Sequence, residues 1–532
     1  MHYQKTMKSR LTPHWALPPT WLRFLLIVLL VLGIFFRFVN LGLKVYWHDE
    51  TITSLHLAGY TGEDVRQQMF NGGVIGVQDL LKFQYPTPAT SLQDTIRALI
   101  VEDPQHPPLY YIWARLWMQW FGNSVAVIRS VSALISLFVF PCIYWLCIEL
   151  FESSLVGWVA IALSTVSPVY VVFAQEAREY SLLMVTILLS SASLLRAMRL
   201  NTKGSWIIYA ATLALGLYSL PLIAIAALGH GIYVVLVTRF RWSKTLTAYL
   251  LASIGGVLAF APWILLTFNS FTKAQASTAW SSTKVPLSRM VKSWAGNISR
   301  VFFDINLDAS VSGVYTIPPV LILLIIVCYS FYFLCRKTPP KVYLFILTMI
   351  GIPFLTLMIP DLISGGLRST VPRYLVPCFL WILLAVAYLF GNKIVSASSL
   401  QQKLWQSLLV LLISVEIVSC IVYSQSQVWW NKKPSDTHVQ AATLINQRNR
   451  PLIISSYYQA NLGELLSMSY LLNPNVKFQL VSEPDIPKIP QGFSDIFVFN
   501  PSLALKSGLK RDYNYNVEPI EPSELQLWKI KE

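Results

Sequence analysis

The chain has 532 residues, a net charge of +15, and a composition that is 55% hydrophobic and only 13% charged. Soluble domains carry roughly twice that share of charge, and mean hydropathy is +0.53, so a soluble globular enzyme is excluded in favour of a polytopic membrane protein. The basic excess does not indicate nucleic acid, because it sits in short loops between apolar runs and no long basic tract or zinc-finger spacing occurs.

The residues before Arg23 include Lys5, Lys8 and Arg10 and no acid, and an apolar run follows. No small-x-small cleavage site comes after it, so it reads as an uncleaved first span. Taking about 20 apolar residues per crossing, spans are expected at 21–40, 125–150, 154–173, 178–198, 205–220, 222–239, 246–268, 314–335, 341–360, 374–391 and 404–424. Pro221 divides the long apolar stretch 205–239. Basic residues cluster after alternate spans (Arg196 and Arg199, Arg239 and Arg241, Arg336 and Lys337, Lys393 and Lys403). The positive-inside rule puts those loops and the N-terminus in the cytoplasm. Glu149 and Glu152 break the pattern in one link.

That orientation gives every long polar segment to the outer face. The first, 41–124, opens with Tyr46-Trp47-His48-Asp49-Glu50 and contains His106-Pro107-Pro108 followed by an apolar, Trp-rich run, Leu109 to Gly122. At about 14 residues this run is too short to cross and reads as a surface helix with proline in its first turn. The others are 269–313, a turn at 361–373, and a tail from residue 428. The tail has soluble composition, with helices expected at 436–449 and 459–472 and strands at 451–458, 477–481 and 496–500. The expected organisation is a transmembrane domain over 1–427 and a small α/β extracytoplasmic domain over 428–532. The six cysteines lie within or at the ends of apolar runs and imply no disulfide framework.

Three constellations could carry chemistry. Asp49 and Glu50 are adjacent carboxylates at a membrane surface; mutual repulsion can raise one pKa and yield a general base, although an acidic loop start would look the same. Glu176, Arg178 and Glu179 crowd a very short turn at a span end, and polar clusters so near a bilayer line substrate paths; charges at span ends are also ordinary. Arg368 and Arg373, beside Tyr374, lie where outer-side arginine is disfavoured, and an anionic ligand or lipid head groups would explain them. His48, Asp49, Glu50, His56 and His106 make a divalent metal conceivable, but their spacing matches no zinc motif and none is expected.

The motifs Arg37-Phe38-Val39-Asn40-Leu41-Gly42 with Trp47-His48-Asp49-Glu50, His106-Pro107-Pro108-Leu109-Tyr110-Tyr111, Gln175-Glu176-Ala177-Arg178-Glu179-Tyr180 and Pro372-Arg373-Tyr374-Leu375 resemble, in order, those of GT-C membrane glycosyltransferases. The resemblance is to the glycosyltransferase family 39, protein O-mannosyltransferase and aminoarabinose transferase group, over about residues 30–390. It implies a mainly α, GT-C-type membrane protein that takes a sugar from a polyprenyl-phosphate carrier on the outer face, with inversion. Carried over, Asp49 is the base, Glu50 assists or orients the acceptor, and Glu176 lines the same cavity. Arg178, Tyr180, His106, Arg368, Arg373 and Tyr374 serve substrate binding, with Arg373 on the carrier phosphate. The chain departs from the family pattern at Glu149 and Glu152, and at His48, which could tune the base. A flippase would call for inverted repeats and charges deep in the spans, neither of which is evident. A non-catalytic binder would keep Arg373 and tolerate loss of Asp49. The acceptor (glycolipid, polysaccharide or protein) and the sugar are not legible.

Overall fold

The computed structural model describes residues 17–306, 313–396, 399–458 and 461–531; Lys5, Lys8 and Arg10 lie outside them. The chain forms two compact units. One comprises residues 1–39, 105–107 and 129–424; the other comprises 40–104, 108–128 and 425–532.

The first unit is a bundle of apolar helices. Inside a bilayer each backbone N–H and C=O must bond within its own segment, so these sequences form helices. All eleven expected spans are helical. Eight described helices are individually long and apolar enough to cross. A ninth crossing would be the pair Ser154–Val166 and Pro168–Ala174, which meet at a 60° bend. The bend falls where Pro168 has no N–H to continue the ladder, and Ser167 Oγ donates to the Val301 carbonyl at 2.6 Å. The remaining two, Lys203–Ser219 and Ile223–Val237, have 17 and 15 residues and are separated at Pro221. They are shorter than a typical crossing helix, which is why eleven apolar segments do not translate into eleven full-length spans.

Two local devices tie the bundle together. The Arg37 guanidinium, fully buried at the end of helix Thr20–Phe38, donates to the carbonyls of Gly33, Thr165 and Ser164 and to Ser136 Oγ, at 2.6–3.1 Å. Gly33 permits that approach, since a Cβ there would lie 2.8 Å from the Thr165 carbonyl oxygen. Glu149, the anomalous acid, is nearly buried and accepts two hydrogen bonds from Arg199, at 3.0 and 2.9 Å, and one from Trp145 Nε1. It therefore neutralises a basic loop and is not a solvated charge.

The second unit is built on a six-stranded sheet in the order β1 (Asn71–Gly76), β3 (Lys477–Ser482), β2 (Pro451–Tyr457), β4 (Asp495–Phe499), β6 (Leu527–Lys531) and β5 (Asn516–Pro519). Strands β2, β3 and β4 are parallel, and their apolar runs suit strands covered on both faces. β5 and β6 add antiparallel to one side. β1 comes from the first long segment and pairs antiparallel with β3. The core mixes both stretches: Leu55, Val65, Phe70 and Phe83 pack with Ile453, Leu465, Phe478 and Phe497. Residues 41–124, expected as a loop of the membrane domain, are thus for the most part in the same folding unit as the tail. Helix Pro108–Phe121 belongs here too; it buries Tyr110, Tyr111 and Arg115 and exposes Trp113, Trp120 and Phe121.

Candidate active site

In the second unit the acidic motif begins helix His48–Leu57, with Asp49 and Glu50 in its first turn, where carboxylates meet the positive end of the helix dipole. The two acids have different environments. Glu50 is fully buried, and its Oε2 accepts from Lys432 Nζ at 3.1 Å. The same ammonium lies 5.7 Å from the centre of the Trp47 ring. Asp49 is partly exposed. Glu50 is therefore committed to an ion pair, which fits an orienting role better than proton transfer, whereas Asp49 reaches solvent.

The tail grips this motif along its length. The Val45 N–H donates to the Gln427 carbonyl at 3.0 Å, the Tyr46 ring packs edge-on against Tyr470, and the His48 N–H donates to Ser435 Oγ at 3.0 Å. His48 Nδ1 lies 2.8 Å from Glu464 Oε1, and Thr51 Oγ1 donates to the Gly463 carbonyl. At the other end of the helix, buried Arg115 donates to the Leu57 carbonyl at 2.7 Å and to Thr95 and Thr90, a cation at a helix C-terminus. Lys432, Glu464 and Arg115 were not singled out from the sequence. Their partners are distant in the chain, so local pattern carries no signal of them.

The conceivable metal set is dispersed. His48 faces Glu464, Glu50 pairs with Lys432, and His56 lies 3.4 Å from Glu102 and 3.8 Å from Asp103. Among the described residues no group of three or more His, Cys, Asp or Glu side chains converges as a metal site.

In the first unit, Gln175 Nε2 donates to the carbonyls of Phe36 and Val39, at 2.7 and 2.9 Å, and ties the end of the first span to the turn Glu176–Glu179. The turn brings His106, Arg178 and Tyr180 together around Glu179. His106 Nδ1 lies 2.7 Å from Glu179 Oε1, Arg178 Nη2 lies 3.4 Å from the same oxygen and 3.2 Å from His106 Nε2, and the guanidinium sits 5.9 Å from the Tyr180 ring centre. Burial raises the Glu179 carboxyl, but the charges of Arg178 and His106 and the His106 hydrogen bond outweigh it and hold it down at about 2. Glu179 is thus an ionised anchor for its neighbours. Glu176, three residues earlier in the same turn, is also buried.

The late arginines divide similarly. Arg368 Nη1 donates to Asp361 Oδ1 at 3.0 Å and Nη2 to Ser282 Oγ, while Asp361 Oδ2 accepts the Ser369 N–H at 2.7 Å. Gly366 sits against this pair, where a Cβ would collide with the Asp361 carboxylate. Arg373 lies over the Trp280 ring at 5.1 Å, and Tyr374 stacks on the same indole. Trp294 Nε1 and Asn297 Nδ2 bond Ser369 and the Thr370 carbonyl, so 269–306 packs on this turn. Arg368→Ala would leave buried Asp361 without its guanidinium, and the expected result is a lower unfolding midpoint in a thermal melt of the purified protein.

Over residues 105–266 the chain matches the family described as dolichyl-phosphate-mannose-protein mannosyltransferase. No curated protein sequence matches it. Among solved structures it is similar to ArnT from Cupriavidus metallidurans bound to undecaprenyl phosphate, with 13% identity, a TM-score of 0.50, and 96% of this chain and 97% of that chain covered. The apo state of the same protein gives 12% identity and a TM-score of 0.52 at the same coverage. The Pmt1-Pmt2 protein O-mannosyltransferase complex of S. cerevisiae bound to the sugar donor is matched at 14% identity over 49% of this chain and 35% of that one, with a TM-score of 0.31, too low to carry an argument. With its apolar helical bundle and its small mixed sheet, the chain shares the fold of ArnT over nearly its whole length.

Proposed function

We propose that the chain is an integral-membrane glycosyltransferase that moves a sugar from a polyprenyl-phosphate donor to an acceptor hydroxyl on the outer face of the cell membrane. The observation that carries this reading is the division of labour in the acidic motif: one carboxylate, Asp49, partly exposed, beside a second, Glu50, buried against Lys432. A general base has to reach its substrate, and a neighbour that is already neutralised can hold it without competing for the proton. Asp49 takes the acceptor hydroxyl proton, and the oxygen attacks the anomeric carbon from the face opposite the carrier. The sugar–phosphate C–O bond breaks with its electron pair going to the carrier phosphate, inverting the centre. Arg373, stacked on Trp280 and Tyr374, stabilises the charge that grows on that phosphate. Arg178, Tyr180 and His106, anchored by Glu179, bind substrate, and Glu176 supports them. The undecaprenyl phosphate bound by ArnT supports a carrier of that class.

A guanidinium meets a phosphate without a metal ion, so no metal is required in this reading. Turnover that survives EDTA agrees with it; loss on chelation that Mg²⁺ restores would revise it. Binding of undecaprenyl phosphate to the purified protein tests the phosphate role directly. Arg373→Ala is expected to weaken that binding at least about tenfold, the scale of one charge-assisted contact, and unchanged affinity would remove Arg373 from the site.

A further inference from the structure

Glu464 stands on helix Asn461–Ser469 in the tail, the part of the sequence in which no catalytic signature is visible. Its carboxylate is nearly buried and is held from three sides. Ser435 Oγ donates to Oε2 at 3.0 Å, and His438 Nε2 lies 3.1 Å from the same oxygen. His48 Nδ1 lies 2.8 Å from Oε1. His438 is fixed in turn, with Nδ1 3.0 Å from Ser467 Oγ. Burial pushes the Glu464 carboxyl up, while the hydrogen bonds and charges of His438 and His48 outweigh that and hold it at about 2. It is therefore an anion throughout the physiological range.

The geometry leads directly to the acidic motif. His48 is the first residue of the helix that carries Asp49, and Ser435, which bonds Glu464, also accepts the His48 backbone N–H. Backbone and side chain of His48 are thus held by one small cluster. Gly463, next to Glu464, lets the ring lie flat on the tail helix: a Cβ there would press into the imidazole. A buried carboxylate that orients a histidine is a recurrent way of fixing a working group in place.

We infer that Glu464 is a positioning residue: pinned by His438 and Ser435, it holds His48 and so sets the first turn of the helix from which Asp49 acts. The tail is then part of the working machinery and not an accessory cap. The inference rests on the proposed role of Asp49.

The test is a double-mutant cycle on the full-length protein, using sugar transfer from a panel of radiolabelled undecaprenyl-phosphate sugars to membrane extracts, with undecaprenyl phosphate binding as a second readout. Glu464→Gln and His48→Asn are each expected to lower kcat about tenfold or more with KM for the donor and carrier affinity held within about twofold, and the double variant to be no worse than the poorer single one. Glu464→Asp, which keeps the charge, should restore part of the rate. Losses that multiply in the double variant, or a wild-type kcat in Glu464→Gln, would overturn the inference. If Glu464→Gln does not fold, Gly463→Ala supplies the same displacement with the carboxylate intact, and a wild-type kcat there has the same meaning. Asp49→Asn, run in parallel, separates the two ideas: wild-type turnover in that variant defeats the base assignment, whereas additivity between positions 48 and 464 defeats only the positioning role.

Discussion

Asp49→Asn is expected to reduce sugar transfer about 10²–10⁴-fold, the range that a positioned general base supplies, while leaving undecaprenyl phosphate affinity within about twofold. The substitution keeps the size of the side chain and removes its negative charge, and with it the capacity to take a proton. Asp49 is partly exposed in the first turn of a helix whose other end is capped by Arg115, so the folded structure loses little; exposed substitutions of this kind usually cost less than about 0.5 kcal/mol. The measurement is kcat with saturating donor, set beside the thermal midpoint of the same preparation. A rate near wild type would show that the proton leaves by another route, and an equal fall in binding and rate would show that the residue holds substrate. The contrast with Glu50 sharpens the result. Glu50 has no access to solvent and a committed ammonium partner, so Glu50→Gln should act through stability first and rate second.

Much of the membrane part is legible in the sequence because its physics is local. An apolar run of sufficient length has one stable form in a bilayer, and Pro221 marks a break that the helices make, whereas the 60° bend at Pro168 falls inside the stretch 154–173 expected as a single span. The parallel strands β2, β3 and β4 are legible for the same reason, as short apolar runs between turn residues. β1 is not, since Asn71-Gly72-Gly73-Val74-Ile75-Gly76 has the composition of a turn and becomes a strand only because β3 offers an edge. The site divides along the same line. The turn from Gln175 to Tyr180 announces itself by crowding charges into a few residues, and Arg178 and Tyr180 do gather about Glu179 with His106. Lys432 cannot be read this way: within Asn431-Lys432-Lys433-Pro434 it looks like a solvated basic linker, and its partner is 382 residues away. Glu464 likewise resembles a surface acid on an amphipathic helix until the fold brings two histidines to it. The residues that bind chemistry to scaffold are long-range partners, and single-sequence patterns record only short-range ones.

Lys432→Met should cost about 3–5 kcal/mol of stability, because it leaves the Glu50 carboxylate buried without its cation. Both side chains of this pair are completely inaccessible, so water cannot take the place of the lost ammonium, and the Trp47 face that shares the cation loses its charge partner as well. In a unit of this size the loss should lower the unfolding midpoint by on the order of 10 °C. Two opposing terms decide what the reverse experiment gives. The native pair gains Coulomb energy in a low-dielectric setting but has already given up the hydration of both ions, and a well-packed apolar replacement often comes out even. The double variant Glu50→Leu with Lys432→Met is therefore expected to recover most of the stability that the single variant loses. Its turnover then separates two roles for the pair. If the rate recovers with the stability, the ion pair serves only to close the tail over the acidic helix. If the protein melts normally yet transfers sugar slowly, the charge of Glu50 acts on Asp49 itself. A Lys432→Met protein as stable as the wild type would mean that the pair contributes nothing net to the fold, and the clamp on the acidic motif would then come from its other contacts with the tail, such as Val45 with Gln427, His48 with Glu464 and Thr51 with Gly463.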